Sequence, residues 1–182
     1  MQGKQLPNLV RTHLQQVLTG QKGLSAASLM TDWPDLAQPG ACFITLTRKG
    51  QLQGCIGSLE ARRPLAEDLL DNAVASATRD PRFQPMQAAM LPEVRIEVSL
   101  LTPPQPFPYR DAADLMARLQ PGVHGVTLTL GGRRATFLPQ VWEQLPDPAQ
   151  FLRHLCQKAG LSGDCCQQHP EISVYMAEKF KE

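Results

Sequence analysis

The 182 residues carry 18 Lys plus Arg against 17 Asp plus Glu, a formal net charge of +1, and a balance this even supplies no electrostatic footprint for nucleic acid or an anionic membrane. A hydrophobic fraction of 42% with 19% charged residues is that of a globular chain able to bury a sizeable core, and no run approaches the ~20 apolar residues of a membrane helix. The N-terminal stretch Met1–Pro7 has no apolar signal core, and Cys42, Cys55, Cys156, Cys165 and Cys166 match neither a secreted disulfide framework nor a paired zinc motif, so the expectation is a cytoplasmic protein with reduced thiols.

Leu6, Leu9, Val10, His13, Leu14, Val17 and Leu18 recur at helical spacing, with Pro7 in the first turn and Gly20 at the stop. An irregular stretch through Trp33-Pro34 leads into a strand at Ala41–Thr47, a turn at Lys49-Gly50 and a returning strand at Gln51–Leu59, which together read as a hairpin. Pro64 opens a helix lined by Leu65, Leu69, Ala73, Val74 and Ala77, with Glu67 and Asp68 near its positive end, and Asp80-Pro81 ends it. Val94–Leu100 alternates as a strand.

Pro103, Pro104, Pro106 and Pro108 form a stiff connector, read as a boundary between lobes. A short helix capped by Asp111 follows, then a second hairpin across Gly131-Gly132, then a helix opened by Asp147-Pro148 and closed by Gly160. Ile172, Val174 and Met176 read as the last strand. Hairpins with uneven helix spacing and no βαβ alternation predict an α+β fold: a largely antiparallel sheet with flanking helices, in a larger and a smaller lobe. The hairpin Ala41–Leu59 is expected at the sheet's centre with Val94–Leu101 paired beside it.

At Leu52-Gln53-Gly54-Cys55-Ile56-Gly57 the chain resembles the AMME chromosomal region family, whose bacterial and archaeal members are called AmmeMemoRadiSam system protein A. The resemblance extends in order through Asp80-Pro81-Arg82-Phe83, Ile96–Pro103, His124-Gly125-Val126, Phe137–Val141 and Lys158–Leu161. It implies a single family domain over residues 1–182, an α+β fold of two lobes, and Memo-like and radical SAM proteins as partners, because relatives are often encoded beside them. Gln53 stands where the family signature has arginine, and glutamine lacks the bidentate fork an arginine would bring to an anion.

Cys55 is either a reactive or ligand-facing thiol or a small buried side chain with Gly54 and Gly57 making room for packing. Arg82, in the loop after a helix, could bind a carboxylate or phosphate, or pair with Asp80 to hold the loop. Glu97 alternates with the apolar residues of its strand and is either a general base or a paired carboxylate. Cys55 is expected on the sheet face opposite Leu52 and Ile56, alongside Glu97. The candidate site is therefore Cys55 and Glu97 as catalytic groups with Gly54, Gly57 and Arg82 as ligand-binding groups. His124 is a further proton carrier to consider.

Cys165-Cys166 with His169 looks like a metal fragment, but adjacent cysteines do not readily share one tetrahedral ion; no metal or cofactor is expected. Two function classes lead: an accessory or interaction protein, and a thiol-dependent enzyme centred on Cys55. A nucleic-acid-associated factor is the third, with even charge and few aromatics counting against it.

Overall fold

In the computed structural model, which describes residues 3–182, the Leu6–Val10–Leu14 stripe is the buried face of helix α1 (Leu6–Leu18), with Pro7 in its first turn and Gly20 beyond its end at φ +78°. Helix α2 (Ala26–Asp32), capped by the Ser25 hydroxyl accepting Ser28 N–H, occupies a stretch read from sequence as irregular; at two turns it is too short for apolar periodicity to stand out. The two-residue strand β1 (Pro39–Gly40) precedes the predicted hairpin of β2 (Cys42–Arg48) and β3 (Gln51–Gly57), whose turn places Lys49 and Gly50 at positive φ. Strand β4 (Arg63–Pro64) pairs with β1, and α3 (Leu65–Thr78) and β5 (Val94–Leu101) follow.

Beyond the boundary at Leu101/Thr102 come β6 (Gln105–Pro106), α4 (Ala112–Arg118), β7 (Gly125–Leu130), β8 (Arg133–Phe137), α5 (Pro148–Lys158) and β9 (Glu171–Tyr175). The chain then returns as β10 (Ala177–Lys181). It thus forms two units, one ending at Leu101 and reclaiming Glu178–Glu182, the other Thr102–Ala177. The proline-rich connector marks this boundary, as its stiffness predicts.

The first unit is built on an antiparallel sheet of order β10-β5-β2-β3. Two sequence expectations are corrected here. Within the hairpin only β2 is interior and β3 is an edge. The final strand pairing is not confined to residues 172–176, because β10 crosses back to flank β5. Glu178, Lys179, Lys181 and Glu182 crowd that segment, so no apolar alternation announces it. Helices α1 and α3 pack against the sheet face that carries Ile44, Leu46, Ile96 and Val98, all fully or almost fully buried.

The second unit holds a sheet of order β6-β9-β7-β8 around a core of Phe151, Leu115, Leu128 and Leu155, with the Trp142 and Phe151 rings stacked at 3.7 Å. Gly125 sits opposite Tyr175, whose ring occupies the space a side chain would need; a Cβ there would lie 2.4 Å from it. Among the described residues no helix is long and apolar enough to cross a membrane.

Candidate functional site

Pairing in the first sheet sets Cys55, Thr45 and Glu97 in one row across β3, β2 and β5. Directly opposed residues of an antiparallel pair share a face, so Cys55 and Glu97 do share one, as expected from alternation. Lys181 Nζ and Lys179 Nζ extend the row, 3.1 and 3.7 Å from the Glu97 carboxylate oxygens. The Cys55 thiol is half-buried and lies 3.4 Å from the Thr45 hydroxyl.

The next row reads Leu52, Thr47 and Arg95, which corrects the placement of Leu52 opposite Cys55. The register shifts between Leu46 and Thr47, leaving Gln53 as an extra residue on β3. Such a bulge flips everything beyond it to the other face. Gln53, the departure from the family signature, is thus the bulged residue itself, and its amide donates to the Leu52 carbonyl at 3.1 Å. A cleft of about 240 Å³ opens on this face between Thr45, Thr47, Arg95, Ile96, Glu97, Lys181 and Glu182.

The two glycines flanking Cys55 are filled by protein. A Cβ on Gly54 would stand 1.9 Å from the Ser76 carbonyl oxygen, so the absent side chain lets α3 approach the sheet. There the Ser76 hydroxyl accepts Ile56 N–H at 3.0 Å and donates to the Ile44 carbonyl at 2.9 Å, stitching helix to hairpin. A Cβ on Gly57 would fall 2.3 Å from the Phe43 ring and 2.5 Å from the Cys42 carbonyl oxygen.

Arg82 and Asp80 clamp the same strand from its open edge. Asp80 Oδ2 accepts Cys55 N–H at 2.9 Å, while Arg82 Nη2 donates to the Cys55 carbonyl at 3.2 Å and to Asp80 Oδ2 at 2.7 Å. The Asp-Pro-Arg-Phe motif thereby supplies the partners that an edge strand lacks. The Arg82 guanidinium is held more basic chiefly by its bond to Asp80.

The Asp80 carboxyl is held well below the usual carboxylate range, first by the Arg82 bond and then by the Cys55 and Arg82 N–H groups. A depressed folded-state pKa stabilises above the unfolded value near ~3.9 and is lost as pH falls through the folded one. Asp80→Asn should therefore lower unfolding free energy by about 1–2 kcal/mol near neutral pH, by an amount constant above pH ~5 that shrinks below ~4. Urea titrations from pH 3 to 8 check it; a gap that does not narrow in acid refutes the clamp. Half the side chain of Arg82 is exposed, so salt should reduce the gap.

Sequence reasoning missed a second polar cluster. Asp68, 1% exposed, accepts from Cys42 N–H (2.9 Å), Cys42 Sγ (3.4 Å) and Asn72 Nδ2 (3.0 Å) on one oxygen, and from Ser58 Oγ (2.5 Å) and Arg63 Nε (3.0 Å) on the other. Burial first, and the neighbouring Asp68 next, push the Cys42 thiol far above its ordinary pKa, so it stays a neutral donor. A wider cleft of about 370 Å³ adjoins this cluster, lined by Ser58, Leu59, Glu60, Arg62, Arg63 and Asp68, but Arg62 is paired with Glu60 and Arg63 with Asp68 and Asp71. A signal was present: Asp68 shares a helical stripe with Asn72 and Ser76 at i, i+4, i+8, next to the apolar face.

In the second unit, His124 Nδ1 accepts Gln120 N–H at 3.1 Å, and burial lowers its pKa, leaving a neutral ring with a structural bond. The five-thiol expectation is corrected there as well: Cys156 and Cys165 are joined in a disulfide. Tertiary packing brings the end of α5 against the 3-10 turn Cys165–Gln168, a proximity that spacing along the chain does not reveal.

Compared with known proteins, residues 7–180 match the AMMECR1 family model. A Methanothermobacter thermautotrophicus protein is 39% identical over 176 residues, covering 96% of this chain and 90% of its own length. One from Methanosarcina barkeri is 33% identical over 184 residues, covering 100% and 91%. The crystal structure of an uncharacterized Pyrococcus horikoshii protein superposes with a TM-score of 0.81 at 30% identity, covering 99% of this chain and 91% of that one.

Proposed function

The chain belongs to the AMMECR1 family, and from the polar face of its first sheet we propose that it is a cytoplasmic accessory protein that docks an acidic surface of a protein partner. Memo-like and radical SAM proteins are the first partners to test, and the two units are taken as one functional domain. The observation that carries this reading is the charge pattern: Arg95, Lys179 and Lys181 stand around Glu97, beside the Cys55–Thr45 row, while the second carboxylate of the cleft, Glu182, is paired with Arg11. With Glu182 neutralised by Arg11, three cations face one remaining carboxylate, which favours an anionic partner and steers its approach. The 240 Å³ cleft is below the ~300–1,000 Å³ of sites that enclose a small molecule, which favours a docked surface. Glu97 within the cluster disfavours a phosphate backbone, which rewards unbroken positive charge.

The test is calorimetric titration with purified Memo-like and radical SAM proteins. Association is expected, and Arg95→Glu with Lys181→Glu should weaken it about tenfold, some 1.4 kcal/mol. Undiminished binding by that variant, or tight RNA binding in a mobility-shift assay, overturns the reading.

The half-buried Cys55 thiol, with Thr45 at 3.4 Å and Arg82 at its backbone, favours thiol chemistry as the second reading. Brief native labelling with iodoacetamide should modify Cys55 before the buried Cys42 and Cys166. Replacing Arg82 with Ala should slow that labelling while leaving a cooperative melt. If Cys55 reacts only in denaturant, the thiol-enzyme reading loses its nucleophile.

A further inference from the structure

The disulfide of the second unit has a third sulfur beside it. Cys166 Sγ lies 3.9 Å from Cys156 Sγ, and the three sulfurs of Cys156, Cys165 and Cys166 all fall within 4.8 Å of one another. They sit in an apolar core with Leu155, Phe151 and Ile172, and Cys166 alone reaches the surface, at 9% exposure. We propose that reduction of the Cys156–Cys165 bond creates a three-thiol site that captures a trivalent metalloid of the arsenite class.

The donor set selects the ligand. Among the described residues no histidine or carboxylate joins these sulfurs; the His169 ring is stacked on Tyr109 and bonded to its carbonyl group, and the Tyr109 hydroxyl donates to Pro170. Structural zinc wants four ligands, and hard cations want oxygen. With element–sulfur bonds of about 2.3 Å, as zinc thiolates have, three sulfurs around one centre stand roughly 3.5–4 Å apart, the spacing already present between Cys156 and Cys166. Charge decides among three-coordinate centres. Three thiolates on a monovalent or divalent ion leave net negative charge in an apolar core, a costly burial, whereas three thiolates on trivalent arsenic are neutral.

The chemistry balances in two steps. A dithiol or phosphine reductant supplies two electrons, and two protons complete the Cys156 and Cys165 thiols. Arsenous acid then exchanges its three hydroxyls for three sulfurs: three As–S bonds form, three As–O bonds break, and the three thiol protons leave with the hydroxyls as three waters. Burial pushes the Cys166 thiol up to about 11, so its thiolate, the species that attacks disulfides, is scarce near neutral pH and the free thiol coexists with the bond beside it.

Native electrospray mass spectrometry of the full chain, with arsenite as the probe, tests the site. Phosphine-reduced protein should gain one arsenic less three hydrogens, and diamide-oxidised protein should gain nothing. Cys166→Ala should weaken arsenite binding at least tenfold, and Cys55→Ser should leave it unchanged. The oxidised and reduced forms of the unaltered chain make the comparison without any substitution. An adduct that survives Cys166→Ala undiminished, an adduct lost in Cys55→Ser, a folded reduced chain that takes up no arsenic, or a reduced chain without a cooperative melt each overturns the proposal.

Discussion

Asp68→Ala is expected to lower unfolding free energy by about 3–5 kcal/mol, the range for breaking a buried charged network from one side. Five donors converge on this carboxylate, and they come from the start of β2, the segment after β3 and α3 itself. Truncation leaves the buried Cys42 N–H without its acceptor, and a buried donor so stranded costs more than the bond it made, whereas the Ser58 hydroxyl at the cleft can turn to water. Arg63 recovers part of its loss through Asp71. Asp68→Asn keeps the shape and one acceptor oxygen while turning the other into a donor that faces donors, and should cost less than Asp68→Ala. Urea unfolding of both variants at pH 7 measures it; an Asp68→Ala chain within 1 kcal/mol of the parent would show that the network carries no net stability.

Gly54→Ala is the second large effect, expected at about 3 kcal/mol or more, the upper end for overpacking a well-filled contact. The added methyl would meet the Ser76 carbonyl oxygen at 1.9 Å and its carbon at 2.9 Å, both backbone atoms of α3 that no rotamer change can remove. The helix must lift, which pulls the Ser76 hydroxyl from Ile56 and Ile44. The same substitution at Gly50, in the hairpin turn with open space around it, strains only a positive φ of 78° and should cost about 1 kcal/mol. Thermal melts of the pair separate the two causes: equal losses would refute the close approach of α3.

Local chemistry was legible wherever a rule acts along the chain. Asp111 and Asp147 accept the N–H groups of Asp114 and Gln150, three residues on, as the caps of α4 and α5, because a short side chain at that spacing satisfies an orphan donor. Alternation predicted that Cys55 and Glu97 share a face, and pairing with Thr45 makes them neighbours in a row. The inserted Gln53 was invisible, since a bulge changes register through the partner strand and leaves the alternation of its own residues ambiguous.

The set of elements follows from local residue patterns: amphipathic helices, two hairpins with glycine in their turns, the proline-marked boundary and the family motifs. Each depends on residues a few positions apart, where propensity and periodicity act. The remaining features exist only once distant segments pack together. Gly54 is a point of helix approach, Asp80 and Arg82 are the missing edge of β3, Asp68 is the hub of three segments, β10 returns to the first sheet, and Cys156 meets Cys165 and Cys166. Among them the disulfide joins residues 9 positions apart, Cys42 and Asp68 lie 26 apart, and Ile96 and Glu182 lie 86 apart. They form because buried donors, acceptors and apolar faces must all be satisfied at once, a condition on the packed chain that no local window contains.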